Sequence, residues 1–284
     1  MIFMEREYPK EKWSFFRFII FLIKKIKDDD VFMLASQLAY SLIVAFFPFL
    51  IFLMTLVGRS TLSSDSVLAY LNSILPTSAY DLVKSTVVEV LEGKGSGLLP
   101  ASLLFAIWSA SRGIAAVIRG LNKAYDQDER RGYFKLVIIS IFSTIAFALA
   151  ILAALFFFVL GDVFKKILMQ YLPFDDFMLL LWQFLRFALI IFFITLTFAA
   201  LYHFAPSKKL GWMEVLPGAV TASLGWLITS LGFSFYVNNF ANYSRLYGSL
   251  GAIIILLTWL YLSSVILLIG GEINALLVKK KSVI

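Results

Sequence analysis

The residues best placed to do chemistry are ionisable groups held inside apolar runs: Arg112 within 98–121, Arg186 within 178–205 and Glu272 within 247–277. A charge in such a run is costly unless it is paired or faces a watery cavity, so it marks a binding site or pathway by default. A guanidinium at that depth would hold an anionic group. A carboxylate would orient the guanidinium or exchange with the bound anion, and the amides of Gln37 and Asn274 would add hydrogen bonds. Gln37 lies seven residues after Asp30, Arg112 seven before Arg119 and Glu272 seven before Lys279. At ~1.5 Å per residue, each is about 10 Å from its interfacial marker. The expectation is one polar pocket at this level, substrate-binding in character, with Arg112 and Glu272 in contact directly or through one bound group. The competing reading is that the two charges only neutralise each other and lock two helices. Arg186, roughly eight residues into its run from the other side, has no carboxylate at its depth and is expected to face water. His203, the only histidine, reads as a satisfied interfacial residue rather than a proton carrier.

Bond-breaking chemistry finds little support. Metal-assisted hydrolysis needs several His, Asp or Glu on one ion, and covalent catalysis needs a nucleophile beside a base. Neither constellation is present. The chain has no cysteine, and Asp28 to Asp30 reads as a solvated helix end. No Gly-Lys-Ser/Thr phosphate-cradling signature occurs. The expectation is a protein that is not an enzyme, with no catalytic residue, no metal site and no cofactor.

The elements that must position these residues are membrane helices. Of 284 residues 61% are apolar and 15% charged, and the mean hydropathy is +0.88, far from a soluble balance. Six apolar runs are each long enough to cross a ~30 Å hydrocarbon core: about 32–57, 98–121, 136–160, 178–205, 213–237 and 247–277. The fold class is therefore all-α, a polytopic membrane helical bundle with six transmembrane helices, in a single integral-membrane domain over 1–284. Residues 1–31 are expected to be cytoplasmic, with Glu11 to Lys27 an amphipathic interfacial helix that turns Trp13, Phe16, Ile20 and Ile23 to lipid. Residues 58–97 form a short extracytoplasmic cap of two helices around Pro76. Gly218, Ala222, Gly225, Thr229 and Gly232 share one helical face that lets another backbone approach, either a span of the same chain or a second protomer.

Orientation follows from Lys and Arg. Sixteen lie in segments on the N-terminal side of the membrane and six in segments on the other, with three more in or at the edges of spans. Both termini are thus expected in the cytoplasm. The net charge of +7 is accounted for by basic flanks meeting anionic lipid rather than by nucleic acid.

Three segments resemble a known family. Ala35-Ser-Gln-Leu-Ala-Tyr40 running to Phe46-Phe-Pro48 is similar to the first-span motif of the YihY/BrkB family of bacterial inner-membrane proteins. Trp108-Ser-Ala-Ser-Arg112-Gly113 with Gly120-Leu-Asn122-Lys-Ala-Tyr125-Asp126 looks like its second motif. The last is Tyr247-Gly-Ser-Leu-Gly251-Ala252, Trp259-Leu-Tyr261 and Gly270-Gly-Glu272-Ile-Asn274-Ala275. Ala45 stands where many relatives carry Ser. The resemblance implies six spans in the bacterial cytoplasmic membrane and a transport role for lipid or amphiphilic substrates. The name ribonuclease BN, once given to relatives, finds no nuclease cluster here. The expected function is movement or binding of an anionic amphiphile such as a lipid or lipid-linked precursor, with membrane lipids as partners and self-association left open. The alternatives are a small-solute or ion transporter and a noncatalytic membrane scaffold.

Overall fold

The computed structural model describes residues 15–57, 68–69, 72, 80, 84, 99–129, 131–146, 148–149, 176–207, 209–240 and 250–282. Seven helices have bounds among them: α1 (Phe15–Asp28), α2 (Val31–Val57), α3 (Leu99–Ala124), α4 (Tyr133–Ala146), α5 (Asp176–Phe204), α6 (Trp212–Phe240) and α7 (Leu250–Ser282). Helix is the form that satisfies every backbone polar group within one segment, which long Leu, Ile, Phe and Val runs require in hydrocarbon. No strand occurs among the described residues.

Three helices are long and apolar enough to cross a membrane, over Phe187–Phe204, Trp212–Asn239 and Ile253–Lys279. Phe16–Asp28 and Val31–Phe46 pass the same test only as a pair bent by 57°. The chain is a multi-pass helical membrane protein. Among the described residues the clear spans number three, or four with the bent pair, against the six expected; the run 98–121 falls on α3, and the run 136–160 begins on α4, with most of its remainder outside the described residues. The cap expected over 58–97 lies almost wholly outside the described residues, and so does Trp13.

The bend between α1 and α2 is made by the acidic run. Asp29 N–H donates to Lys25 O at 2.9 Å and Asp30 N–H to Lys27 O at 3.2 Å, and Asp30 adopts φ 51° before its carbonyl accepts from Leu34 N–H. Asp tolerates that left-handed conformation better than most residues. On α1, Phe16, Ile19, Ile20 and Ile23 point away from the bundle while Lys25 is buried. The apolar side therefore faces outward, as an interfacial helix requires.

Helix α3 packs along α2, and α7 packs against both α2 and α6. Small residues set the closest approaches. A Cβ on Gly113 would come within 3.2 Å of Ala45 Cβ on α2. A Cβ on Gly218 would collide with the Gly270 carbonyl and the Asn274 amide of α7, and one on Gly270 with the Tyr202 hydroxyl of α5. The small-residue face of α6 thus meets α7 of the same chain through Gly218, Ala222 and Gly225, whereas Gly232 has open space. Farther along that contact, Trp226 Nε1 donates to Ser263 Oγ at 3.0 Å and Trp259 Nε1 to Ser230 Oγ at 3.3 Å. The core centres on Leu38, Ile118, Leu121, Tyr202, Val215, Ala219, Leu268 and Ala275.

Candidate functional site

The densest polar arrangement in the described residues lies where α1 docks on the ends of α3 and α7. Phe18, Leu22, Lys25 and Asp29 recur at spacings of four, three and four, which places them on one stripe of α1 opposite its exposed apolar side. Lys25 is only 1% exposed. Its Nζ meets Asp29 Oδ2 at 2.5 Å, Glu272 Oε2 at 2.9 Å and Asp126 Oδ1 at 3.6 Å. Asp126 also pairs with Lys279 through Oδ2. The turn after α3 makes this possible: Asp126 takes φ 51°, and Gln127 N–H closes back on Asn122 O at 2.8 Å.

Glu272 has no exposed surface, and its Oε1 has no hydrogen-bond partner. The Tyr125 hydroxyl and Asn274 Nδ2 are likewise buried, and they lie beside each other. Burial pushes the Tyr125 phenol upward from its ordinary value. The Asn274 Oδ1 accepts the Gly218 backbone N–H at 2.7 Å, tying α7 to α6, and Tyr202 donates to Leu267 O at 2.8 Å, tying α5 to α7. A cavity of about 100 Å³ adjoins this region, lined by Tyr125, Gln127, Leu210, Ala275, Val278 and Lys279.

The neighbouring loops are clamped by Glu129. Arg131 donates to it from Nε and from a terminal guanidinium nitrogen, both at 2.7 Å, and Asn122 Nδ2 donates at 2.7 Å. Arg131 also reaches Ala205 O, and Ser207 N–H donates to Asn122 Oδ1. The bonds from Arg131 hold the Glu129 carboxyl down at about 2.

The expected pairing of Arg112 with Glu272 is not what the structure contains. Among the described residues no ion pair joins them; Glu272 is bound to Lys25, and Arg112 is exposed with its guanidinium 5.3 Å from the centroid of the Trp108 ring. Arg119 and Lys279 are not at equivalent depths: Gly120 packs on Leu268, and Gly271 packs on Leu121 and Ala124. Glu272 is therefore level with the end of α3, and Arg112 is nine to twelve residues farther back, about 15 Å along the axis. Gln37 is exposed on α2, where its backbone carbonyl accepts from Ser41, so Gln37, Arg112 and Glu272 do not share one enclosed pocket. Asn274 is buried with its oxygen already engaged. Arg186 is on α5, and its side chain lies outside the described residues. His203 is satisfied as expected, with Nδ1 2.5 Å from Leu210 O and its ring stacked on Trp212.

Lys25, Tyr125 and Asp126 join the site without having been among the residues expected there. The available signal was the Lys25–Asp29 spacing of four on the stripe that carries Phe18 and Leu22, since two charges on an otherwise apolar inner face imply a buried pair. Among the described residues no group of three or more His, Cys, Asp or Glu could hold a metal ion.

Comparison with known proteins places the chain in a family. The chain is 43% identical over 247 residues to a ribonuclease-like protein, YfkH, of Bacillus subtilis, which covers 87% of this chain and 90% of that one. It is 26% identical over 280 residues to a UPF0761 membrane protein of Aliivibrio salmonicida, covering 93% and 83%. A UPF0761 membrane protein of Vibrio vulnificus is 25% identical over 285 residues, covering 95% and 85%. No solved structure matches the chain. The profile of the family described as Virulence factor BrkB matches residues 22–283, from the helix that carries Lys25 to the end of α7, and the chain belongs to that family.

Proposed function

We propose that this protein binds an anionic amphiphile at the side of its helical bundle and permits its movement between leaflets of the bacterial cytoplasmic membrane. The observation that carries this reading is Arg112: a guanidinium within a long helix, exposed beside the Trp108 ring. A cation open sideways to lipid suits a headgroup whose tails stay in the bilayer, whereas a free solute would call for an enclosed aqueous route. The indole adds a cation–π contact that keeps the guanidinium in place. Gln37, exposed on α2, is a further polar group for such a path, and Arg186 is proposed for it from its sequence position alone. Glu272 and Asn274 act in this reading through the helices they tie. Both termini face the cytoplasm and 58–97 the outside, in keeping with the cation distribution. No bond is broken and no cofactor takes part.

The test is lipid redistribution in proteoliposomes. Fluorescent anionic lipids should exchange between leaflets faster with the wild type than with Arg112→Ala or in empty vesicles. Equal rates in all three across anionic and zwitterionic lipids would sink the transport reading. A second reading, a noncatalytic scaffold, draws support from the Lys25–Glu272 and Gly218–Asn274 contacts, which are internal ties; it predicts that equality.

A further inference from the structure

Glu272 is the one buried carboxylate in α7 whose environment is only half made. Oε2 has the Lys25 ammonium at 2.9 Å, Oε1 has no hydrogen bond, and the residue has no exposed surface. A buried carboxylate oxygen without a donor carries a desolvation cost that nothing local offsets. The groups facing it from each packed element are now identifiable. Lys25 comes from α1, Asp29 from the turn after it, and Tyr125 and Asp126 from the turn after α3; Lys279 of α7 is engaged by Asp126, and the Tyr202 hydroxyl of α5 by Leu267 O. Asp29 and Asp126 share the Lys25 ammonium with Glu272 and lie close enough to repel its charge.

We propose that Glu272 is a proton-binding site, and that its occupancy decides whether α1 stays tied to α7. Three carboxylates around one ammonium is an arrangement in which a proton on one of them relieves like-charge repulsion. Asp126 is partly solvated, at 30% side-chain exposure, and Asp29 is bonded to Lys25 within its own helix. Glu272, fully buried with a free oxygen, is the member that gains most from a proton. The proton enters from cytoplasmic water by way of the cavity beside Tyr125 and Lys279 and adds to Oε1, turning carboxylate into carboxylic acid with no other bond made or broken. Its new O–H can then be accepted by the neighbouring Tyr125 hydroxyl oxygen. The attraction between Glu272 and Lys25 falls; Lys25 keeps Asp29, and only its longer 3.6 Å contact with Asp126 is left across to the rest of the bundle. α1 is thereby loosened from α7 and pivots at the Asp29–Asp30 break, its apolar side resting in the interface. The sign is fixed: the tie is made at higher pH and lost as pH falls through the titration of Glu272. This inference does not rest on lipid movement, because protonation and α1 position are read without any cargo.

The experiment uses the full chain in lipid nanodiscs. Infrared difference spectra across a pH titration should show a carboxylic-acid carbonyl band growing on acidification and missing from Glu272→Gln. In Asp126→Asn, with a repelling charge removed, the midpoint of that band should move to lower pH by about one unit. Spin labels at Ile20→Cys and Met213→Cys, both exposed positions in a cysteine-free chain, should change separation with the same midpoint. Glu272→Gln should hold the acid-form separation at every pH. A band unchanged in Glu272→Gln, no band in the wild type, an unmoved midpoint in Asp126→Asn or a pH-independent label separation would each overturn the proposal.

Discussion

Lys25 of α1 and Glu272 of α7 stand 2.9 Å apart, both hidden from solvent, and this contact fastens the N-terminal helix to the last one. Removing Lys25 leaves Glu272 buried without its ammonium, a loss on the order of 3–5 kcal/mol, whereas removing Glu272 leaves Lys25 with Asp29 and Asp126 and costs less, chiefly the lost tie between α1 and α7. Lys25→Met, and less strongly Glu272→Ala, should therefore lower the thermal midpoint of the detergent-solubilised protein below that of Arg112→Ala, whose side chain is exposed and should cost within about 0.5 kcal/mol. Chromatographic thermostability measurements check the order. Equal losses at Glu272 and Arg112 would contradict the assignment.

The crossing of α6 and α7 has no room for a Cβ at Gly218 or Gly270. Gly218→Ala and Gly270→Ala should each destabilise by about 1–3 kcal/mol through backbone separation, because the obstructing atoms are carbonyls and a buried hydroxyl rather than the ends of mobile chains. Gly232, on the same face of α6, meets nothing within 4 Å. Gly232→Ala should leave stability unchanged or slightly raised, and thermal melts of the three variants separate these outcomes.

Glu129 has its carboxyl lowered to about 2 by Arg131. A depressed folded value means that its contribution is present above the ordinary carboxylate range and is lost as pH falls from about 4.5 toward 2. The loop site is near solvent, so the effect should be on the order of 1 kcal/mol. Glu129→Gln should remove that part of the acid sensitivity, measured as the difference in melting temperature between neutral and acidic buffer. An unchanged pH profile would argue that the clamp contributes nothing in solution.

Topology can be read from single cysteines in a chain that has none. Gln127, in the loop that holds Asp126 and Glu129, should be shielded from an impermeant maleimide in intact cells and labelled after lysis. Strong labelling before lysis would invert the orientation drawn from the cation distribution.

Composition and run length were enough to establish a multi-pass helical protein, because lipid leaves the backbone few alternatives to helix. Local chemistry was legible too: the Asp28 to Asp30 run ends α1, although Asp29 is buried against Lys25 rather than solvated, Phe16, Ile20 and Ile23 face outward, and His203 finds a partner at its helix end. The period of the small residues on α6 marked a close contact, although only the packed structure made α7 its occupant. What the chain alone could not yield was which charge meets which. Depth along a helix is readable at ~1.5 Å per residue only from a shared origin, and the register of α3 against α7 is set by the packing of Gly120 on Leu268 and of Gly271 on Leu121. That register carries Glu272 past Arg112 to the foot of α3. There the fold of the turn at Asp126 and the docking of α1 bring Lys25 to it, a partner 247 positions away in the sequence.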